Sequence, residues 1–413
     1  MISVQEAKHI ISQNTQDFGT EEIPFIKSVG RILKEDIISD REFPPFNRVA
    51  MDGIAINYSY FKNKQRNFKI EGIQPAGSKQ LSMQNSENCI EVMTGAVLPN
   101  NCDTVIRYED VVIENGIASV TVLNINEHQN IHPKGKDKAQ GVVLINKNTI
   151  ISPAEIGVIA TVGKSTIKVA KQPKVMIIST GDELVDVHET PLDYQIRRSN
   201  VYTLVSLLNE LNIPSETAHI TDNKTILKEK IAGYLKEYDV LLFSGAVSKG
   251  KFDFLPEVLA ELGVNKLFHK VAQRPGKPFW FGRETPLSIS EQHVYQGQKN
   301  NKTIVFAFPG NPVSTFVNCL VYFYPWYYES VSIKQNEKTA ILAHDIEFKP
   351  NLTYFLQVKL NYRFGHLIAT PIEGNGSGDL ASLVAADGFI EIPKTTQIEF
   401  KSGSTFPVIR YKK

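Results

Sequence analysis

Arg274 and Lys277 bracket a Pro275-Gly276 turn and so fix two cations near one point. Such a pair suits a tetrahedral oxyanion or a phosphate, whose charge it neutralises while the stiff turn limits the entropy lost on binding. Small-residue loops lie on either side: Ser244-Gly245-Ala246-Val247-Ser248-Lys249-Gly250-Lys251-Phe252-Asp253 upstream, and Phe308-Pro309-Gly310-Asn311-Pro312 downstream. The loops fall within about 70 residues and follow apolar runs, as expected of strand ends converging on one anionic ligand at the carboxyl edge of an open α/β sheet. Carboxylates recur at the same kind of position. Ser179-Thr180-Gly181-Asp182-Glu183 directly follows a run ending at Ile178, Asp222 follows His219-Ile220, and Asp253 closes the first loop. Each could cap a helix, but carboxylates after separate strands favour a divalent cation bridging phosphates. Lys249 and Lys251 read equally well as a solvated face. Pro309 and Pro312 frame a turn that brings backbone, and the start of a helix, close to a ligand.

Two earlier segments carry polar groups of the same kind. Pro44 to Gly53 is a proline-led loop ending in Asp52-Gly53, a pair that also serves as an ordinary turn. In Met93-Thr94-Gly95-Ala96 the Thr94 hydroxyl and neighbouring amides could bind phosphate or a polar ring edge, or form a tight inter-strand turn. There is no GxxxxGK[ST], so a P-loop NTPase is excluded, and no HExxH or triad-like arrangement of the nine histidines supports nucleophilic catalysis.

These residues need a scaffold, and the chain of 413 residues is long enough for several domains, at roughly 100 to 200 residues each. With 45 basic and 44 acidic residues the formal charge is +1, which gives no global field for nucleic acid or an anionic membrane. Neither partner is expected. Cys89, Cys102 and Cys319 have no CxxC spacing and are odd in number, which argues against disulfides and zinc and for a reducing cytoplasm. The apolar stretch Val317 to Tyr328 is interrupted by Asn318 and Pro325 and is shorter than the ~20 residues of a membrane span. Met1 to Glu6 lacks the basic start and apolar core of a signal peptide.

Ser3 and Glu6 have capping-box spacing ahead of a helix, and Ser152-Pro153-Ala154-Glu155 repeats the signal. Between them, short apolar runs at Phe68 to Ile70, Thr104 to Ile106 and Val120 to Leu123 predict a small inserted β domain. Strands are expected at Val175 to Ile178, His219-Ile220, Val240 to Phe243 and Thr303 to Phe308. Between them run helices marked by Val201, Leu204, Val205, Leu208 and Leu211 behind a Ser199 cap, and by Leu255, Val258, Leu259 and Leu262. The alternation implies a largely parallel sheet covered by helices. Tyr354 to Leu360, Phe389 to Ile392 and Thr405 to Tyr411 suggest a terminal β barrel or sandwich.

In this pattern the chain resembles the MoeA-type molybdopterin molybdenumtransferases, the family that includes the carboxyl-terminal part of gephyrin. The resemblance runs in order through Pro44 to Ala55, Met93 to Ala96, Ser179 to Leu184, Ser244 to Asp253, Pro275 to Pro278, Pro309 to Pro312 and Gly376-Ser377 to Gly388. It implies a multidomain α/β protein: a helical and linker region for dimerisation (1–52 and 142–173), an inserted β domain (53–141), a central MogA-like three-layer α/β/α domain (174–330) and a C-terminal β barrel (335–413). It implies a cytosolic homodimer that takes adenylylated molybdopterin and molybdate, uses Mg²⁺, inserts molybdenum and releases AMP. A MogA-like adenylyltransferase and apo-molybdoenzymes would be its partners. By resemblance, Asp182, Glu183, Asp222 and Asp253 surround the pterin nucleotide and its metal, with Glu183, Asp222 and Asp253 as metal ligands. Asp52, Thr94 and Asp137 come from the partner subunit, and Ser248, Arg274, Lys277 and Ser377 hold molybdate. Pro278, Pro309 and Pro312 belong to the same substrate-binding loops.

The chain departs from the family pattern at several points. Ala246 stands where glycine is common, His132 where arginine is usual, Lys136 where an acidic residue precedes Asp137, and Arg274 where lysine is usual. Gln357 occupies a position often held by arginine, which removes a cation from the molybdate site unless Lys359 compensates from the same strand. Alternative readings are a MogA-like molybdopterin adenylyltransferase acting through the α/β domain alone, and a catalytically weakened scaffold of the same fold.

Overall fold

The computed structural model describes residues 1–245, 247, 254–285 and 302–412. The chain opens with the helix Val4–Ser12, capped reciprocally: the Ser3 hydroxyl accepts the Glu6 N–H at 3.1 Å and the Glu6 carboxylate accepts the Ser3 N–H at 2.7 Å. Its Val4, Ala7 and Ile11 join the core beneath the α/β sheet. The segments on either side of the inserted domain rejoin, because Thr20–Pro24 pairs antiparallel with Thr166–Ala170. Helix Pro153–Thr161, capped by Ser152 and Glu155, closes a core of Leu33, Ile37, Ile145, Ile159 and Ile167.

The inserted domain is a six-stranded sheet in the order Thr104–Arg107, Gly53–Ile56, Cys89–Val92, Asn67–Gln74, Ile117–Val120, Val111–Glu114. Its faces carry separate cores, one around Val49, Ile90 and Val105, the other around Ile54, Phe68 and Ile106. The strand expected over Val120 to Leu123 instead ends at Val120, where pairing with Val111 stops, and Leu123 lies 81% exposed. An apolar run without a ladder partner gains no backbone bonds and turns out to solvent.

In the central domain a six-stranded sheet runs Ser215–Ile220, Val175–Thr180, Val240–Ser244, Ile304–Phe308, Trp280–Glu284, Val264–His269. The first four strands are parallel, and the fifth runs antiparallel to the neighbours on both its sides, so the sheet is mixed at one side. Alternate residues face opposite layers. Val175, Ile177, Leu242 and Phe306 pack against helix Asn200–Glu210 and the helical rod of residues 312–330, while Met176, Ile178, Phe243 and Val305 meet helices Lys224–Glu237 and Leu255–Glu261. The rod contains a π-helical turn, Cys319–Phe323, directly before Pro325. The wider turn lets proline, which has no N–H, sit in a continuing helix. Among the described residues no helix is long and apolar enough to cross a membrane.

Five C-terminal strands, Lys338–Leu342, Thr353–Arg363, His366–Pro371, Gly388–Ile392 and Thr405–Arg410, close into a barrel, since the second also pairs with the fourth. A two-residue strand of the central domain, Gln273–Arg274, adds in parallel beside Thr353 and Tyr354.

Gly53 shows how tightly the inserted sheet is packed. A Cβ there would lie 1.9 Å from the Ile106 carbonyl oxygen. Gly53→Ala should therefore cost about 1–3 kcal/mol, as overpacking does, and lower the thermal midpoint. An unchanged melt would contradict the close approach.

Candidate functional site

The carboxyl ends of the parallel strands open into a cavity of about 610 Å³. Glu183 and Asp222 line it from the loops after Val175–Thr180 and Ser215–Ile220, and Pro309 and Pro312 from the loop after Ile304–Phe308. Pro278 completes the wall from the Arg274 turn. Asp182 does not line the cavity: its carboxylate accepts the Asp222 N–H at 3.1 Å, which ties the two strand-end loops together. Among the described residues no group of three or more potential metal ligands is preassembled. The hard carboxylate oxygens of Glu183 and Asp222 do match the chemistry of Mg²⁺, which takes one or two carboxylates and completes its shell with water and phosphate. Ser248 and Asp253, with Lys249, Lys251 and Ala246, lie outside the described residues.

Several lining groups have weak sequence signals. Ser199 was expected to cap helix Asn200–Glu210, yet it has helical backbone angles and makes no side-chain cap bond. Instead the Asn200 amide donates to the Ser244 hydroxyl at 2.8 Å and to the Gly310 carbonyl at 2.7 Å, so one side chain braces two of the loops. Arg197 and Arg198 bring positive charge into the same cavity, Arg198 being ion-paired with Asp186. His219, in contact with the Ser179 hydroxyl, is held below its ordinary pKa by burial and then by the Arg198 charge. The basic pair just before an amphipathic helix was the available clue to these residues.

A second cavity, of about 460 Å³, lies between the central domain and the barrel. Arg274, Gln357 and Ser377 line it together, whereas Lys277 is exposed and does not. The Gln357 Oε1 atom is buried without a hydrogen-bond partner among the described residues. Lys359 cannot take the place of a missing cation here, because Asp387 holds it at 2.9 Å and it lies outside the cavity lining. Gly378 lines both cavities, and the Asn311 amide donates to the Ser377 hydroxyl at 2.7 Å, so the two spaces share a wall.

Asp52, Thr94 and Asp137 line neither cavity. They lie in the inserted domain and its stem, where the Gly95 N–H donates to Val49 O and the Asp137 N–H to Phe43 O, both at 2.9 Å. The Asp52 carboxylate accepts the Thr94 N–H at 2.6 Å, and bonds from the Thr94 backbone and hydroxyl hold it below the usual carboxylate range. Asp137 is engaged by His132 at 2.8 Å, and Lys136 projects beside it, exposed.

Comparison with known proteins covers most of the chain. The model for the MoeA N-terminal region (domains I and II) matches residues 2–163, that for a probable molybdopterin binding domain residues 176–326, and that for the MoeA C-terminal region (domain IV) residues 339–411. A molybdopterin molybdenumtransferase from Synechocystis is 39% identical over 98% of this chain and 99% of its own length. One from Bacillus subtilis is 29% identical over 99% of this chain and 94% of its own. The solved molybdopterin biosynthesis MoeA protein of Pyrococcus horikoshii superposes with a TM-score of 0.80 at 27% identity, covering 100% of both chains.

Gln357 is the sharpest departure in the smaller cavity. Gln357→Arg would place a second guanidinium in the space with Arg274, and should tighten binding of a dianion such as molybdate about tenfold. Calorimetric titration measures this; an unchanged dissociation constant would remove Gln357 from the anion's surroundings.

Proposed function

The chain belongs to the MoeA family of molybdopterin molybdenumtransferases, transferases of molybdenum cofactor biosynthesis, and on that premise we propose that it inserts molybdenum from molybdate into adenylylated molybdopterin, with Mg²⁺, and releases AMP. The observation that carries this reading is the pair of cavities with a common wall at Gly378. The larger has carboxylates, arginines and strand-end backbone suited to a nucleotide and its pyrophosphate, and the smaller has Arg274 and the Ser377 hydroxyl, suited to a tetrahedral oxyanion. A dithiolene lying between them would meet molybdate across the shared wall.

Within this reading Glu183 and Asp222 hold the divalent ion, with Asp253 as the further ligand that the family resemblance suggests. When bound, Mg²⁺ supplies Lewis-acid stabilisation of charge on the phosphate oxygens. Asp182 keeps the two ligand-bearing loops in register through the Asp222 N–H. Arg274 neutralises the dianion, and Ser377, whose hydroxyl accepts from Asn311, is left able to donate toward it. No general base is assigned.

Asp52, Thr94 and Asp137 enter the reaction as contributions from a second copy of the chain, since neither cavity of their own copy includes them. A homodimer is supported by exposed apolar side chains in the linker region: Ile26, Val29, Ile38, Val143 and Ile150 are each 44–65% exposed. Placement in the cytoplasm fits three unpaired buried cysteines, with the Cys89 and Cys102 thiols pushed up to about 12 by burial. A MogA-like adenylyltransferase would supply the substrate, and apo-molybdoenzymes would receive the product.

The deciding experiment mixes purified protein, adenylylated molybdopterin, Mg²⁺ and molybdate and follows AMP. Release should depend on molybdate; AMP formation indifferent to molybdate, or none at all, would sink the insertase reading. For the dimer, the double variant Ile38→Asp/Val143→Asp should sediment as a monomer and lose activity with its fold retained. A variant that still sediments as a dimer would move the interface elsewhere.

A further inference from the structure

We propose that Gln273, Asn318 and Tyr322 are positioning residues which hold the Arg274 to Pro278 turn in its anion-facing shape and join it mechanically to the wall of the larger cavity. The inference rests on the oxyanion role given above to Arg274. All three side chains are sealed from solvent, Gln273 and Asn318 at 0% and Tyr322 at 1% exposure. They form one directed chain of hydrogen bonds. The Tyr322 hydroxyl donates to Gln273 Oε1, Gln273 Nε2 donates to Asn318 Oδ1 at 2.7 Å and to Pro275 O at 2.9 Å, and Asn318 Nδ2 donates to Gly276 O at 3.2 Å. The backbone groups at the end of this chain are the two carbonyls inside the turn that separates Arg274 from Lys277.

Stability alone does not call for such a network. Its surroundings are aromatic: the Phe279 ring stacks 4.8 Å from Tyr322 and lies tilted 5.5 Å from Phe308. Replacing all partners of a buried polar cluster with apolar groups of the same shape is often neutral or stabilising. What apolar residues would not supply is a fixed position for the Pro275 and Gly276 carbonyls. Gly276 has φ +87°, and a Cβ on it would sit 2.5 Å from Asn318 Oδ1 and 2.8 Å from Gln273 Nε2, so the network and the turn fit each other without slack.

The helix that carries two of these side chains reaches the other cavity. Asn318 and Tyr322 are four residues apart on the rod of residues 312–330, whose first residue, Pro312, lines the larger space. Gln273 lies in the short strand paired with Thr353, four residues before Gln357 on the wall of the smaller one. A shift of the rod is therefore passed to Arg274 through side-chain hydrogen bonds rather than through solvent.

Calorimetric titration of the full chain with sodium molybdate, and separately with AMP, tests the proposal. Asn318→Ala should weaken molybdate binding about tenfold and Tyr322→Phe, which keeps the ring packing, about threefold, while AMP binding stays within about twofold of the parent. In an Arg274→Ala background the Asn318→Ala change should cost less than about twofold more, because the network acts through that arginine. Should Asn318→Ala fail to fold, Tyr322→Phe carries the same comparison. Folded variants that bind molybdate like the parent, or losses that multiply with Arg274→Ala, overturn the network. A parent protein that binds AMP but not molybdate overturns instead the oxyanion reading on which the network rests.

Discussion

Backbone pairing along residues 270 to 274 is the constraint on which the site depends. The Ile2 N–H donates to Lys270 O at 3.2 Å and Ile2 O accepts the Ala272 N–H at 2.7 Å. On the other side Ala272 O accepts the Thr353 N–H at 2.9 Å, and Gln273 and Arg274 run in register with Thr353 and Tyr354. Buried backbone donors and acceptors must find partners. Here those partners come from the amino terminus, the α/β domain and the barrel, so satisfying them brings all three to one line. The smaller cavity exists because Arg274 sits at the end of that line, facing Gln357 and the 374–378 loop.

The molecule separates the groups that hold it together from those that do chemistry by direction along each strand. Across the sheet, alternating residues feed two apolar layers. Along the sheet, the carboxyl ends release the chain into loops that side chains organise. Asp182 and Asn200 do that organising at the larger cavity, and Gln273, Asn318 and Tyr322 at the turn below the smaller one. Polar groups buried for this purpose are costly unless fully paired. Those at the turn are paired in sequence from Tyr322 to Gly276, whereas Gln357, on the wall of the smaller cavity, keeps a buried oxygen without a partner among the described residues.

Charge is distributed locally rather than globally. A chain with a formal charge of +1 places Arg197, Arg198 and Arg274 along two adjoining cavities and sets Glu183 and Asp222 beside them.

Much of this was legible in residue order. Capping boxes at Ser3 and Ser152, the alternation of strand and helix from Val175 onward, and small-residue loops directly after apolar runs are local signals, because each arises from bonds between residues close in sequence. They determined the elements, the family and which strand ends would open into the larger cavity. Local pattern did not distinguish Glu183, which lines the cavity, from Asp182, which braces it, since that depends on the direction each side chain takes once Asp222 arrives from another strand. Nor did it show that Lys359 is committed to Asp387, that Ser199 leaves the bracing to Asn200, or that Gln273 and Tyr322, 49 positions apart, would share a hydrogen bond. Those outcomes belong to the tertiary structure, because hydrogen-bond partners are chosen by proximity after the apolar layers have packed.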